Sequence, residues 1–236
     1  MNLALLHDAA KFALTLAAMS ALSCCALLGK GKPLELRYFD LAPDAGAAPV
    51  PAAPAGARLR LGQVSAARHI DRRFVSRQSA HELSYHEEWR WTDEPDTFLR
   101  RALSRDLFER AGLIRVVSGA APSLEVELTA FEAVREGDHT HAHAAVLAQL
   151  QDDRVQLWQR AFEMDAPLGE GDPAEALADA LGRALAAVAG QVAEQTVASL
   201  PEPAKPAQPG SPAALTPSPP ATGASDAADT PRASAR

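Results

Sequence analysis

Leu124-Glu-Val-Glu-Leu-Thr-Ala-Phe-Glu-Ala-Val-Arg-Glu136, then Gly137-Asp138, then His139-Thr-His-Ala-His-Ala-Ala-Val-Leu-Ala-Gln-Leu-Gln151, then Asp152-Asp153 and Val155 to Met164: this run decides the fold. Apolar and polar residues alternate along each segment, which is the period of a half-buried strand. Leu124, Val126, Leu128 and Ala130 share one side of the first. Gly-Asp and Asp-Asp stand where the chain must reverse. The pattern predicts a three-strand antiparallel meander.

Working outward, a helix is expected after the meander, from Asp172-Pro173 to about Ser199. Leu177, Leu181, Leu185, Val188 and Val192 form its buried stripe. On the other side a helix is expected from Thr92 or Asp93, either of which can cap it, with Pro95 in the first turn. Phe98, Leu99, Ala102, Leu103, Leu107 and Ala111 repeat at three and four, and Gly112 ends the helix. Ile114 to Val117 reads as a short strand. Further upstream, strands are expected at Leu36–Leu41, at the alternating Arg58–Val64, and as a hairpin at Phe74–Arg77 and Glu82–His86. Trp89 and Trp91 close that region. The fold class is α/β: one domain with a mixed, largely antiparallel sheet and two main helices.

Segments of different composition bracket this core. At the start, Lys11 precedes the apolar run Phe12–Ala21, which leads into Leu22-Ser23-Cys24-Cys25-Ala26-Leu27. That order reads as a secretory signal, and a cysteine at the cut site makes it a lipoprotein signal. Cys25 has Leu22 three places before it but Cys24 beside it. Cys24 has Ser23 beside it but Ala21 three places before. Cys25 is the favoured acylation site and Cys24 the alternative. Residues 1–24 are then the signal, 34–200 the domain, and 201–236 a tail rich in Pro, Ala, Ser and Thr. The tail cannot bury enough surface to offset its ordering entropy, so disorder is expected there. Ala42–Gly56 is a Pro/Ala-rich loop.

Composition narrows the function. The formal net charge of −7 does not favour a nucleic-acid partner. The chain has 2 cysteines, both at the signal boundary, so no disulfide framework is expected. No phosphate-binding Gly-rich motif occurs. Asp71, Ser76, Ser79 and His81 supply the residue types of a hydrolase triad, but no Gly-x-Ser-x-Gly elbow accompanies them. His139, His141 and His143 alternate and share a strand face, a spacing metals use. With no cysteine nearby and no acid required beside them, a solvated face is the expectation, and no metal or other cofactor is assigned.

The ordered pieces Tyr38-Phe39-Asp40-Leu41, Leu59-Arg60-Leu61-Gly62-Gln63-Val64, Ile70-Asp71-Arg72-Arg73-Phe74-Val75-Ser76-Arg77, Glu88-Trp89-Arg90-Trp91-Thr92 and Phe98-Leu99-Arg100-Arg101-Ala102-Leu103 resemble the auxiliary lipoproteins of ABC-type intermembrane lipid transport systems. Paraquat-inducible protein C belongs to that family. The resemblance extends through the hairpins and the last helix. Relatives often carry proline after the Asp-Arg pair, where this chain has Arg73. The resemblance implies a fold similar to the amino-terminal domain of TolB and a non-enzymatic role. It implies work beside an MCE-domain protein, a permease and an ATPase that move lipid between membranes. It also implies anchoring by an acylated cysteine, facing the periplasm. No Asp follows either cysteine, which favours the outer membrane. Self-association is left open. A structural or assembly lipoprotein of an envelope or secretion complex is the alternative.

Arg72, Arg73 and Arg77, together with Trp89 and Trp91, are the expected partner-binding residues. The arginines offer charge to an acidic surface. The tryptophans fall on one face of an extended segment, where an exposed patch would mark a contact; the core is the competing place for them.

Overall fold

The computed structural model describes residues 33–42, 49–153 and 155–200. The signal, Cys24, Cys25 and the 201–236 tail lie outside the described residues. The elements run β1 (Arg37–Phe39), β2 (Arg58–Ala66), β3 (Arg73–Ser79), β4 (Glu82–Trp91), α1 (Pro95–Ser104), a π-helical turn (Arg105–Arg110), β5 (Ile114–Arg115), β6 (Ser123–Glu136), β7 (His139–Asp152), β8 (Val155–Pro167) and α2 (Pro173–Ser199).

The expected meander is present. β6 pairs antiparallel with β7, and β7 with β8, along nearly their whole lengths. Gly137 at φ +60° and Asp153 at φ +50° make the two reversals. Glycine enters that backbone region without penalty, and Asp is one of the few other residues that tolerate it.

One part of the expected alternation changes. Leu124, Val126 and Leu128 face the helices, but a bulge between Leu128 and Ala130 shifts the register. Ala130 therefore turns to the opposite face, and Phe131 and Ala133 take over the core side. A bulge places two residues opposite one, so each later residue of the strand changes face.

The other edge of β6 is shared. β2 lies parallel to its first half, from Ser123 to Leu128, and β3 lies parallel to its second half, from Glu132 to Val134. The two strands follow one another along the same edge, joined at residues 67–72, and the Ala67 N–H donates to Leu128 O at 2.9 Å. The sheet thus forks. One branch continues from β3 through antiparallel β4 to parallel β1; the other ends at parallel β5. The long ladders are antiparallel, while the pairings that join the two halves of the chain are parallel.

Both helices cover one face of this sheet. α2 packs across β7, β8 and α1. Its alanines Ala178, Ala180, Ala184, Ala189 and Ala193 belong to one buried core with Ala142, Ala144 and Ala148 of β7. Small side chains on both surfaces let the helix approach the sheet closely. By length and composition α2 passes as a membrane-spanning helix, but 72% of its most apolar window is buried inside the domain. It is apolar on several sides because it has neighbours on several sides.

α1 starts with Pro95 at its first position, as the sequence predicts, but Glu94 stands at the cap with no side-chain bond. Asp93, expected to cap, instead accepts from Arg101 at 2.6 Å. α2 starts where expected and is capped there: Asp172 Oδ1 accepts from the N–H groups of Ala174 and Glu175. The same carboxylate takes two bonds from Arg37, at 3.0 and 3.1 Å, which ties β1 to the helix start. Those bonds hold the Asp172 carboxyl below its ordinary pKa.

An ion pair lies against β6. Glu132 is 1% exposed. It accepts from Arg77 Nε at 2.5 Å and Nη2 at 3.2 Å. Replacing Arg77 with Ala leaves that carboxylate buried and uncompensated, which should destabilise the domain by about 3–5 kcal/mol. The paired replacement Arg77→Leu with Glu132→Leu should recover most of the loss. Urea unfolding of the three proteins checks both statements.

Candidate partner-binding surface

The five residues expected to bind a partner fall into three environments. Trp91 is 1% exposed, so it offers no surface to a partner. Its ring stacks on Phe74 at 3.9 Å and meets Phe98 and Phe131 edge-on or tilted. The expectation that it marks an exposed patch is corrected by this packing: the β3–β4 ladder aims Trp91 at the helices, where its large apolar ring is worth most.

Arg72 and Arg73 lie at the root of the β3–β4 hairpin. Arg72 donates to the carbonyls of Trp91 and Thr92. Arg73 is bidentate to Asp71 and sits over the Tyr85 ring, 3.9 Å from its centroid. Asp71, bonded by Arg73, is held below its ordinary pKa. Both guanidiniums therefore fix the hairpin in place. They line a shallow depression with Tyr38, Asp71, Arg90 and Glu94.

Arg77 and Trp89 are brought together elsewhere, at the helix-facing end of β3 and β4. With Ser76, His86, Arg135 and Leu168 they line a cleft of about 270 Å³ beside Pro173 and Leu177 of α2. A long bulge in β4 builds its wall: Arg73 pairs with Arg90 and Val75 with Tyr85, so residues 86–89 loop out opposite Phe74 alone. Arg90 donates to the carbonyls of His86 and Trp89 and holds the bulge. The bulge stacks the His86 ring on Trp89 at 4.1 Å, nearly parallel. His86 Nε2 and Ser76 Oγ are 2.8 Å apart. Burial pushes the His86 pKa below its ordinary value.

The His86–Ser76 pair escaped the sequence reading. Its only signal was position: Ser76 pairs with Ser84, and His86 begins the bulge, which alternation does not reveal. A hydrogen-bonded Ser–His pair has two parts of a nucleophile system. No acid among the described contacts orients the imidazole. The arrangement offers an aromatic wall, a polar pair, the Arg135 guanidinium and the Arg77–Glu132 ion pair, which suits recognition of a partner segment.

The histidines of β7 occupy the face opposite the helices. His143 Nδ1 is 2.6 Å and His141 Nε2 3.7 Å from Asp165 Oδ1. Among the described residues no group of three or more His, Cys, Asp or Glu is arranged to hold a metal ion.

Comparison with known proteins places this fold. Protein XCC0632 from Xanthomonas campestris is 24% identical over 69% of this chain and 95% of its own, with a TM-score of 0.61. A second solved structure, of an uncharacterised protein, is 15% identical over 69% of this chain and 99% of its own, with a TM-score of 0.55. No curated protein matches the chain. The family described as ABC-type transport auxiliary lipoprotein component matches residues 39–193, which is nearly the whole folded core from the end of β1 to late in α2. The chain belongs to the ABC-type transport auxiliary lipoprotein family.

Proposed function

We propose that the protein is a non-enzymatic, membrane-anchored auxiliary component of an MCE-type ABC system that moves lipid between the inner and outer membranes. The family match across residues 39–193 carries this reading. In it, Cys25 is acylated, with Cys24 as the alternative. The domain faces the periplasm from the outer membrane, and an MCE-domain protein, a permease and an ATPase are its partners.

Contact with the MCE-type partner is assigned to the cleft of Trp89, His86 and Arg135, with Arg77 held at its rim by Glu132. Arg72 and Arg73 stand nearby as supports, because their guanidiniums are already bonded to the hairpin root. Aromatic and arginine side chains in a partly enclosed pocket are the groups that dominate binding energies.

Trp89→Ala should weaken partner binding by about 2 kcal/mol, roughly thirtyfold. Arg135→Glu, which leaves the His86–Trp89 stack intact, should weaken it as well, with circular dichroism unchanged in both. Undiminished co-purification of both variants with the MCE protein removes the cleft from consideration.

Anchoring has its own test. Cys25→Ser should move the protein to the soluble fraction or block maturation, while Cys24→Ser should leave it in the membrane fraction. The reverse result assigns acylation to Cys24.

His86 gives the cleft a pH dependence. Its folded pKa lies below the ordinary 6.5 because burial disfavours the charged ring. The unfolded chain therefore binds the proton first as pH falls. The stability this contributes is complete above about 6.5 and is lost as pH drops through the folded pKa. An NMR titration of the His86 ring should show a midpoint below the free value, and His86→Gln should flatten the stability profile in that window.

A further inference from the structure

The first described residues carry a feature that neither the fold nor the cleft uses. Leu34, Leu36 and Tyr38 recur at every second position and are 50%, 41% and 59% exposed. In extended chain such residues share a side. Their neighbours on the other side are occupied: Arg37 bonds Asp172, and the Phe39 ring meets Phe74 at 5.3 Å. The outward side has no covering element among the described residues. Tyr38 sits opposite Arg90 in the β1–β4 register and lines the depression with Arg72 and Arg73.

We propose that the outward side of β1 and of the residues leading into it rests on the surface of the bilayer that holds the acyl anchor, with anionic phospholipid as its ligand. The proposal rests on acylation at Cys25. Three observations select the membrane as occupant.

The first is reach. Only Ala26–Pro33 separate Cys25 from Leu34. Eight residues span at most roughly 30 Å. β1 is one edge of the path β1-β4-β3-β6, which β7 and β8 extend to the other edge. At about 4.8 Å per step those edges are about 24 Å apart. The tether therefore favours the β1 edge over the β8 edge at the bilayer.

The second is charge. Residues 34–200 contain no lysine, and the only lysines between Cys25 and the domain are Lys30 and Lys32. Each basic residue near an anionic leaflet contributes about 1 kcal/mol. The third is chemistry. Two leucines with a tyrosine suit the headgroup boundary, where an aromatic ring buries its body and keeps its hydroxyl wet. Such a second contact would fix the orientation of the domain on the bilayer.

The test uses the full acylated protein reconstituted in vesicles of phosphatidylethanolamine and phosphatidylglycerol. An environment-sensitive dye is placed at Tyr38→Cys or, on the far edge, at Leu157→Cys. The unsubstituted chain carried through the same labelling reports any background from Cys24 or Cys25. The dye at position 38 should shift to the blue and be quenched several-fold more by a headgroup-linked nitroxide lipid than the dye at 157. A water-like spectrum at 38 on protein that floats with the vesicles overturns the proposal. So does a blue shift that appears without vesicles in the Cys25→Ser protein and grows with its concentration, since a second copy then covers the stripe. Protein that fails to float at all overturns the anchoring on which the proposal depends, and the proposal with it.

Discussion

β6 bonds to β7 along one edge and to two strands in succession along the other. A strand has only two edges, so β2 and β3 must divide the second. The division point coincides with the bulge between Leu128 and Ala130, which resets which residues face the helices. Before it, Leu124, Val126 and Leu128 meet the core; after it, Phe131 and Ala133 do. Opposite the second half, Glu132 becomes buried on the outer face and requires Arg77 from β3. One local irregularity thus places the aromatic cluster, the ion pair and the root of the β3–β4 hairpin.

The aromatic cluster carries the next level of organisation. Phe74 contacts Phe39, Trp89 and Trp91, and so joins β1, β3 and β4. Trp91 then reaches Phe98 of α1 and Phe131 of β6. A buried Phe replaced by Ala removes about 3–5 kcal/mol, so this hub couples the hairpin to the helical layer. The cleft exists because Trp89 belongs to the hub on one side and stacks on His86 on the other.

Much of the fold was legible in the residues. The alternation of β6 and β7, the two turn pairs, Pro95, the Asp172-Pro173 start and the periodic apolar stripes all act locally, so sequence spacing reveals them. The parallel pairings were not legible, because Arg58–Ala66 carries no mark saying which distant strand it will join. The bulge hid for a related reason: Ala130 continues the alternation on paper, and only the pairing of Phe131 with Ala144 shows the shift. At the candidate surface, residue type was informative and orientation was not. Trp91 proved to be core. Arg72, Arg73 and Arg77 have backbone or carboxylate partners within the domain, and the Ser76–His86 pair depends on an irregular turn of β4.

The order of pairing partners along the chain has a consequence for biogenesis. β2 has no partner that precedes it: both β5 and β6 come later in sequence. β3 can form its hairpin with β4, but its second edge also waits for β6. The segment from β6 through β8 to α2, in contrast, is bonded mainly between sequence neighbours. Local contacts of that kind form quickly, while distant parallel ones form slowly. In a chain that emerges from its amino terminus, the first half presents open strand edges. β2 and the second edge of β3 stay unpaired until residues 123–136 arrive. Any chaperone that meets the emerging chain has most to protect in the interval before β6 appears.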